Sequence, residues 1–230
     1  MDNFRGKEVK GNCSCWCTGT RLYKLPPIYA ITDKRISGRS THLDIVRELA
    51  SGGATLIQVR DKETPVADLL ADLGNCVDFA ERRGILLLVN DRCDLALSCN
   101  ASGVHLGQED LPPEAARRIM GKKSIIGFST HTVGQAGRAQ QMPVDYIGFG
   151  PIYPTRTKQD TSPVAGLREL RGACGASSKP VVAIGGIGLS TVRDVLEAGA
   201  SSAAVISALM GAASIAGRME EFLKRATGKP

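Results

Sequence analysis

Aromatic side chains make up only 4% of this chain. A core of useful size must therefore be built from leucine, isoleucine, valine and alanine, the residues that fill parallel sheets covered on both faces. Long apolar runs are missing too, so no stretch matches a membrane span and no membrane partner is expected. The first residues mix Asp2, Arg5, Lys7 and Glu8 with no apolar stretch of a secretory signal, which leads to the expectation of a cytoplasmic protein. Cysteine is present in an odd number, seven, and without a signal the thiols are expected to be reduced. Two phosphate-binding signatures are absent. No dinucleotide fingerprint follows the first apolar run, because Gly148-Phe149-Gly150 lacks a third glycine and meets Pro151 where a helix should start; nor is there a Walker-type loop.

What is present suits one closed α/β unit. A chain of 230 residues with 43% hydrophobic content has the size of a single α/β barrel. The formal charge is +6, and residues 1–27 carry half of it, with Arg5, Lys7, Lys10, Arg21 and Lys24 set against Asp2 and Glu8. The modest excess elsewhere suits a small anionic molecule; a nucleic-acid track needs Lys and Arg clustered on one face. Residues 1–27 are accordingly set apart as a flexible extension and residues 28–230 as the folded domain. Cys13, Cys15 and Cys17 in the extension lack zinc spacing and a nearby His, so a reactive tail is expected rather than a metal site. Composition does not decide between a monomer and a homo-oligomer.

From Ile28 onward, short apolar runs alternate with stretches of helical periodicity. The runs are 28–32, 54–59, 85–89, 103–106, 124–128, 144–148, 180–184 and 203–206. Between them, segments such as 66–83 and 191–198 carry apolar residues at helical spacing, and Pro112-Pro113 opens another helix. The runs are continuously apolar, as in strands buried on both faces. Eight strand–helix units predict a single (β/α)8 TIM barrel, with a doubly wound open sheet as runner-up.

Sites in such barrels lie where the strands end. The second run ends Gln58-Val59-Arg60-Asp61-Lys62, and alternation places Gln58, Arg60 and Lys62 on one face. Arg60 offers a two-pronged fork and Lys62 a point charge for phosphate; a buried Gln58 needs a partner. The third and fourth runs end with Asp91 and, a few residues on, Asp110. Two such carboxylates suit one hard cation that also binds substrate phosphates, a role for Mg2+. Asp91 alone fits a helix N-cap equally well. His105 fits a satisfied core histidine better than a general base, and His131 reads as a first-turn surface residue without a role. Ser129 or Thr130 is placed to cap the following helix, or to bind an anion there. The loop 148–160, GFGPIYPTRTKQD, is stiffened by prolines and offers hydroxyl, guanidinium and ammonium donors at Thr155, Arg156, Thr157 and Lys158, which suits an oxyanion, though an exposed basic turn has the same composition. The last two runs end in Gly185-Gly186 and Ile206-Ser207, the usual phosphate grip of this fold.

Two unlike anion sites thus share one barrel mouth. One gathers Arg60, Lys62 and Lys158 with a cation on Asp91 and Asp110, suiting a pyrophosphate. The other, Gly186, Ile206 and Ser207, suits a monophosphate. At this point the chain resembles the thiamine-phosphate synthase family, through QVRDK at 58–62, LVNDRCDLAL at 88–97, GVHLGQEDL at 103–111, GFSTHT at 127–132, GFGPIYPTRTK at 148–158, AIGGI at 183–187 and VIS at 205–207. The resemblance implies joining 4-amino-2-methyl-5-hydroxymethylpyrimidine diphosphate to a hydroxyethylthiazole phosphate, or its carboxylated form, with release of pyrophosphate. It implies Gln58, Arg60, Lys62, Asn90, Ser129 and Lys158 around the pyrimidine diphosphate. It implies Mg2+ on Asp91 and Asp110, and Thr155, Arg156, Thr157, Gly186, Ile206 and Ser207 around the thiazole phosphate. Rival readings are a thiazole tautomerase, which needs neither the carboxylate pair nor the Arg60/Lys62 cluster, a Schiff-base aldolase using Lys62 or Lys158, and a nucleic-acid binder working through the basic extension.

Overall fold

Every expected apolar run becomes a strand. The computed structural model describes residues 24–155, 157 and 163–228, so the expectations for Cys13, Cys15, Cys17, Arg156 and Lys158 lie outside the described residues. The strands are β1 (Ile28–Ile31), β2 (Leu56–Val59), β3 (Leu86–Asn90), β4 (Gly103–Leu106), β5 (Ile125–Thr130), β6 (Tyr146–Phe149), β7 (Val181–Ile184) and β8 (Ser202–Val205). They are parallel and pair in chain order, and β1 closes on β8 through the register Ile28↔Ala203 and Ala30↔Val205. The open-sheet alternative is thereby excluded.

The helices are α1 (Lys34–Ser37), α2 (His42–Ser51), α3 (Val66–Glu81), α4 (Cys93–Ser98), α5 (Pro113–Met120), α6 (Val133–Arg138), α7 (Gly166–Ala176), α8 (Val192–Glu197), α9 (Ser207–Met210) and α10 (Ile215–Thr227). The one-turn helices α1 and α9 are too short to show periodicity and were not expected. Local chemistry starts several others. Thr41 caps α2 by accepting from Asp44 N, and Pro113 occupies the first turn of α5, where a missing N–H costs nothing. No helix among the described residues is long and apolar enough to cross a membrane.

Strand alternation creates two apolar cores. Ile28, Ala30, Ile57, Val59, Leu87 and Val89 point outward and pack under the helices. Tyr29, Ile31, Leu56, Leu88, Ile125 and Tyr146 point inward and fill the barrel. Ile57 is fully buried, so truncating it to alanine costs about 2–5 kcal/mol. The inward set turns polar toward the strand ends, where Gln58, Asn90 and Ser129 are buried. That change of character sets the floor of the mouth.

Candidate active site

The charged half lies at the ends of β2, β3 and β4. Alternation holds here: Gln58 and Arg60 border the same interior cavity as Asn90 and His105, while Asp61 turns away. Gln58 has the partner it needed, donating from Nε2 to Tyr29 Oη at 2.7 Å. Arg60 is largely buried; its Nη1 lies 3.5 Å from Asp33 Oδ2, and its Nε has no hydrogen-bond partner among the described residues. A buried guanidinium with a free edge is prepared for an added acceptor.

Asp61 braces this segment from behind. It accepts from Glu63 N and Thr64 N at 2.9 Å each and from Thr64 Oγ1 at 2.7 Å, and faces His42 Nε2 at 3.0 Å and Lys34 Nζ at 3.1 Å. Burial pushes its carboxyl upward, but these bonds outweigh that and hold it far below the usual carboxylate range. His42 also meets Thr32 Oγ1 at 2.8 Å, and that hydroxyl accepts from Arg60 N at 3.2 Å. Asp33 therefore meets the Arg60 guanidinium, and Asp61 and His42 hold the backbone on which Arg60 and Lys62 stand. Their sequence signal, polar residues following an apolar run, is too common to have singled them out.

Lys62 reaches across to Asp91, Nζ to Oδ2, at 3.3 Å. Asp91 is not an N-cap: it has φ of 63°, and Arg92 occupies the cap position of α4 without a capping bond. The left-handed backbone, which aspartate tolerates better than most residues, swings its carboxylate toward Asp110. Asp110 is held in turn by Gly107 N at 2.6 Å. Burial and then the adjacent Asp110 push the Asp91 carboxyl up, against the pull of Lys62. Among the described residues no group of three or more His, Cys, Asp or Glu is placed to hold a metal ion by itself. The donor set is two carboxylates of like charge, which fits a hard cation that completes its shell with water and phosphate oxygens.

The second half is built differently. A cleft of about 700 Å³ at the ends of β5 to β8 is bordered by Ser129, His131, Thr155, Thr157, Gly186 and Ser207. The segment after β6 is pinned to the end of β7, Ile152 N to Ile184 O at 2.9 Å and Tyr153 N to Gly185 O at 3.0 Å. Gly186 has φ of 65°, and a Cβ there would lie 2.6 Å from Pro154 O and 2.7 Å from Tyr153 Cβ. This glycine thus serves loop packing as well as backbone approach to an anion. Thr157 N donates to Thr155 Oγ1 at 3.3 Å, which shapes the described end of that loop. Ile206 ends the barrel at φ −117°, ψ −85°, and Ser207 follows as the first residue of α9.

Two expectations at β5 are corrected. Ser129 and Thr130 belong to the strand, and the cap of α6 is Thr132, which accepts from Gln135 N. His131 precedes that helix instead of riding on it, borders the cleft and lies 2.7 Å through Nδ1 from Gly150 O. The strand runs two residues further than the apolar pattern, because Ser129 and Thr130 still pair with Gly148 and Phe149. The reading of His105 holds: its ring meets Tyr146 Oη at 2.8 Å and Ser129 Oγ at 3.0 Å.

A closed barrel with these two polar halves at its C-terminal strand ends defines a (β/α)8-barrel enzyme acting on small molecules. A family model described as "Thiamine monophosphate synthase" matches residues 28–209. The chain is 44% identical over 185 residues to the thiamine-phosphate synthase of Albidiferax ferrireducens, spanning 80% of this chain and 84% of that protein. It is 42% identical over 195 residues to that of Methanospirillum hungatei, spanning 85% and 95%. Among solved structures, the thiamine phosphate pyrophosphorylase of Pyrococcus furiosus superposes with a TM-score of 0.82 at 38% identity, covering 89% of this chain and 96% of that one. The chain belongs to the thiamine monophosphate synthase family.

Proposed function

We propose that this enzyme joins 4-amino-2-methyl-5-hydroxymethylpyrimidine diphosphate to 4-methyl-5-(2-hydroxyethyl)thiazole phosphate, or its carboxylated form, giving thiamine phosphate and pyrophosphate. The observation that carries the reading is the pairing in one mouth of a carboxylate-and-cation half with a glycine-and-hydroxyl half. A tautomerase handling the thiazole alone has no use for the first half. A Schiff-base lysine is desolvated, whereas Lys62 is half exposed and paired with Asp91.

In this reading Arg60, Lys62 and Lys158 hold the diphosphate, and Gln58, Asn90 and Ser129 hold the pyrimidine ring. Asp91 and Asp110 hold Mg2+, which when bound supplies positive charge to the oxygens of the leaving group. The methylene C–O bond breaks with its electron pair leaving on pyrophosphate, and the amino group of the ring stabilises the cation left behind. The thiazole nitrogen lone pair then forms the C–N bond, so no general base is required. Arg60 and Lys62 neutralise charge as it builds, and Asp61, His42 and Asp33 keep them in place. Thr155, Arg156, Thr157, Gly186, Ile206 and Ser207 hold the thiazole phosphate so that its nitrogen faces the methylene. We take residues 28–230 as the catalytic barrel and residues 1–27 as an extension, in keeping with a family match that begins at residue 28. We place the protein in the cytoplasm; Cys76, Cys93, Cys99 and Cys174 are free thiols.

The test is incubation with both substrates and Mg2+. Thiamine phosphate and pyrophosphate should appear in equal amounts, and neither should form when one substrate is left out. Absence of both products from folded protein would refute the reading.

A further inference from the structure

Beneath the mouth, one hydrogen-bonded chain crosses the barrel interior. Gln58 Nε2 donates to Tyr29 Oη at 2.7 Å, and Tyr29 Oη lies 3.0 Å from Tyr146 Oη. Tyr146 Oη lies 2.8 Å from His105 Nδ1, and His105 Nε2 lies 3.0 Å from Ser129 Oγ. The chain thus links β2, β1, β6, β4 and β5, and both its ends border the cavities of the mouth. The fold makes room for it. A Cβ at Gly127 would lie 2.1 Å from Tyr146 Cζ and 2.4 Å from His105 Nδ1, and one at Gly148 would lie 3.3 Å from His105 Cε1. Glycine inside a strand weakens it, so two of them beside one histidine mark a packing requirement. With that room the His105 and Tyr146 rings stack, their centroids 5.5 Å apart.

Counting protons restricts what this chain can do. Burial pushes both phenols up, so each keeps its proton and has one to donate. A neutral imidazole also has one N–H. With a neutral imidazole, and with every inner proton used inside the chain, two arrangements satisfy all four links. In the first, every bond points from Gln58 toward Ser129; the Gln58 carbonyl and the Ser129 O–H then face the mouth. In the second, every bond is reversed, and the Gln58 NH2 and a Ser129 lone pair face the mouth. Gln58 is oriented with its amide nitrogen on Tyr29, which selects the first.

We propose that Tyr29, Tyr146 and His105 are positioning residues that set the hydrogen-bond polarity of Gln58 and Ser129 and thereby select a 4-aminopyrimidine over its 4-oxo counterpart. The inference rests on the reading that Gln58 and Ser129 hold the pyrimidine. An aminopyrimidine edge carries an N–H donor on the exocyclic nitrogen beside an acceptor ring nitrogen. A carbonyl at Gln58 and a hydroxyl donor at Ser129 complement that edge. The 4-oxo ring carries the opposite pattern, a carbonyl beside a ring N–H, and meets two mismatches unless the whole chain reverses.

Equilibrium binding of the aminopyrimidine diphosphate and of its 4-oxo analogue, with Mg2+ and without thiazole phosphate, tests this in Tyr146→Phe and Tyr29→Phe. Phenylalanine keeps each ring and breaks the chain. The preference for the amino compound should fall about tenfold in either variant, the scale of one mis-set buried hydrogen bond, and the double variant should lose no more than a single one. The KM for thiazole phosphate should not move, which separates polarity from general loosening of the barrel. Should Tyr146→Phe not fold, Tyr29→Phe breaks the chain one link earlier and carries the same expectation. An unchanged preference in the folded variants, with Gln58→Ala and Ser129→Ala still weakening pyrimidine binding, overturns the inference alone. Undiminished pyrimidine binding in Gln58→Ala and Ser129→Ala overturns the pyrimidine assignment and this inference together.

Discussion

In the proposed reading the two halves of the barrel mouth meet the same task, holding an anion, by opposite means. Around β2 to β4, charge is concentrated: Lys62 faces Asp91, Asp91 is pressed against Asp110, and Arg60 is buried against Asp33. Around β6 to β8, the described residues offer glycine backbone and threonine and serine hydroxyls. The first arrangement is under strain in itself, since two half-buried carboxylates of like charge repel, and gains its sense from a cation and a highly charged ligand. The second needs no such partner among its described residues, and the start of its loop, Ile152-Tyr153, is already pinned to the end of β7. A half under electrostatic tension suits bond breaking with charge build-up, and a settled half suits a molecule that needs only to be held.

Substitutions on the two sides should therefore differ in kind. Asp91→Asn keeps a residue that tolerates the left-handed backbone while removing the charge, and should lower kcat/KM about 10³-fold with loss of Mg2+ dependence, read by steady-state rates across a Mg2+ titration. For Lys62→Ala we expect about a 10²-fold loss in kcat/KM for the pyrimidine diphosphate and little change in KM for the thiazole phosphate; near-normal rates would remove Lys62 from the diphosphate site. Gly186→Ala forces a Cβ against Pro154 and Tyr153, so the protein should lose about 1–3 kcal/mol of stability in denaturant melts and about tenfold in thiazole-phosphate affinity. Ser207→Ala, which removes one hydroxyl, should raise the thiazole-phosphate KM about five- to tenfold and leave kcat almost untouched.

The smallest effect concerns the brace behind the charged half. Because the folded state holds the Asp61 carboxyl well below its ordinary 3.8, its contribution to stability is present above that value and is lost as pH falls beneath it. Thermal melts of Asp61→Asn and the unsubstituted protein should differ most near neutral pH and converge in acid. A gap that stays constant with pH would assign Asp61 a purely steric part.

The fold was legible because its evidence repeats. Eight apolar runs spaced by helical periodicity admit few arrangements, and a misplaced boundary at β5 or β8 leaves that count intact. The candidate site was legible where charge stands at a strand end, in that the structure brings Arg60, Lys62 and Asp91 to the same side of the barrel mouth. Elsewhere local chemistry misled. His131 read as a surface residue because β5 outruns its apolar pattern by two residues. The bracing roles of His42 and Asp61 depend on contacts between α2 and the end of β2, which no local spacing encodes. The glycines at 127 and 148 held a signal that went unused: a glycine within a strand marks a close approach, and here His105 and Tyr146 make it.

The division of labour between the halves is tested most directly by calorimetric titration of pyrophosphate, with and without Mg2+, into the unsubstituted protein, Asp91→Asn and Ser207→Ala. Binding should require Mg2+, vanish in Asp91→Asn and persist unchanged in Ser207→Ala. Pyrophosphate binding that survives Asp91→Asn, or that is lost in Ser207→Ala, would contradict it.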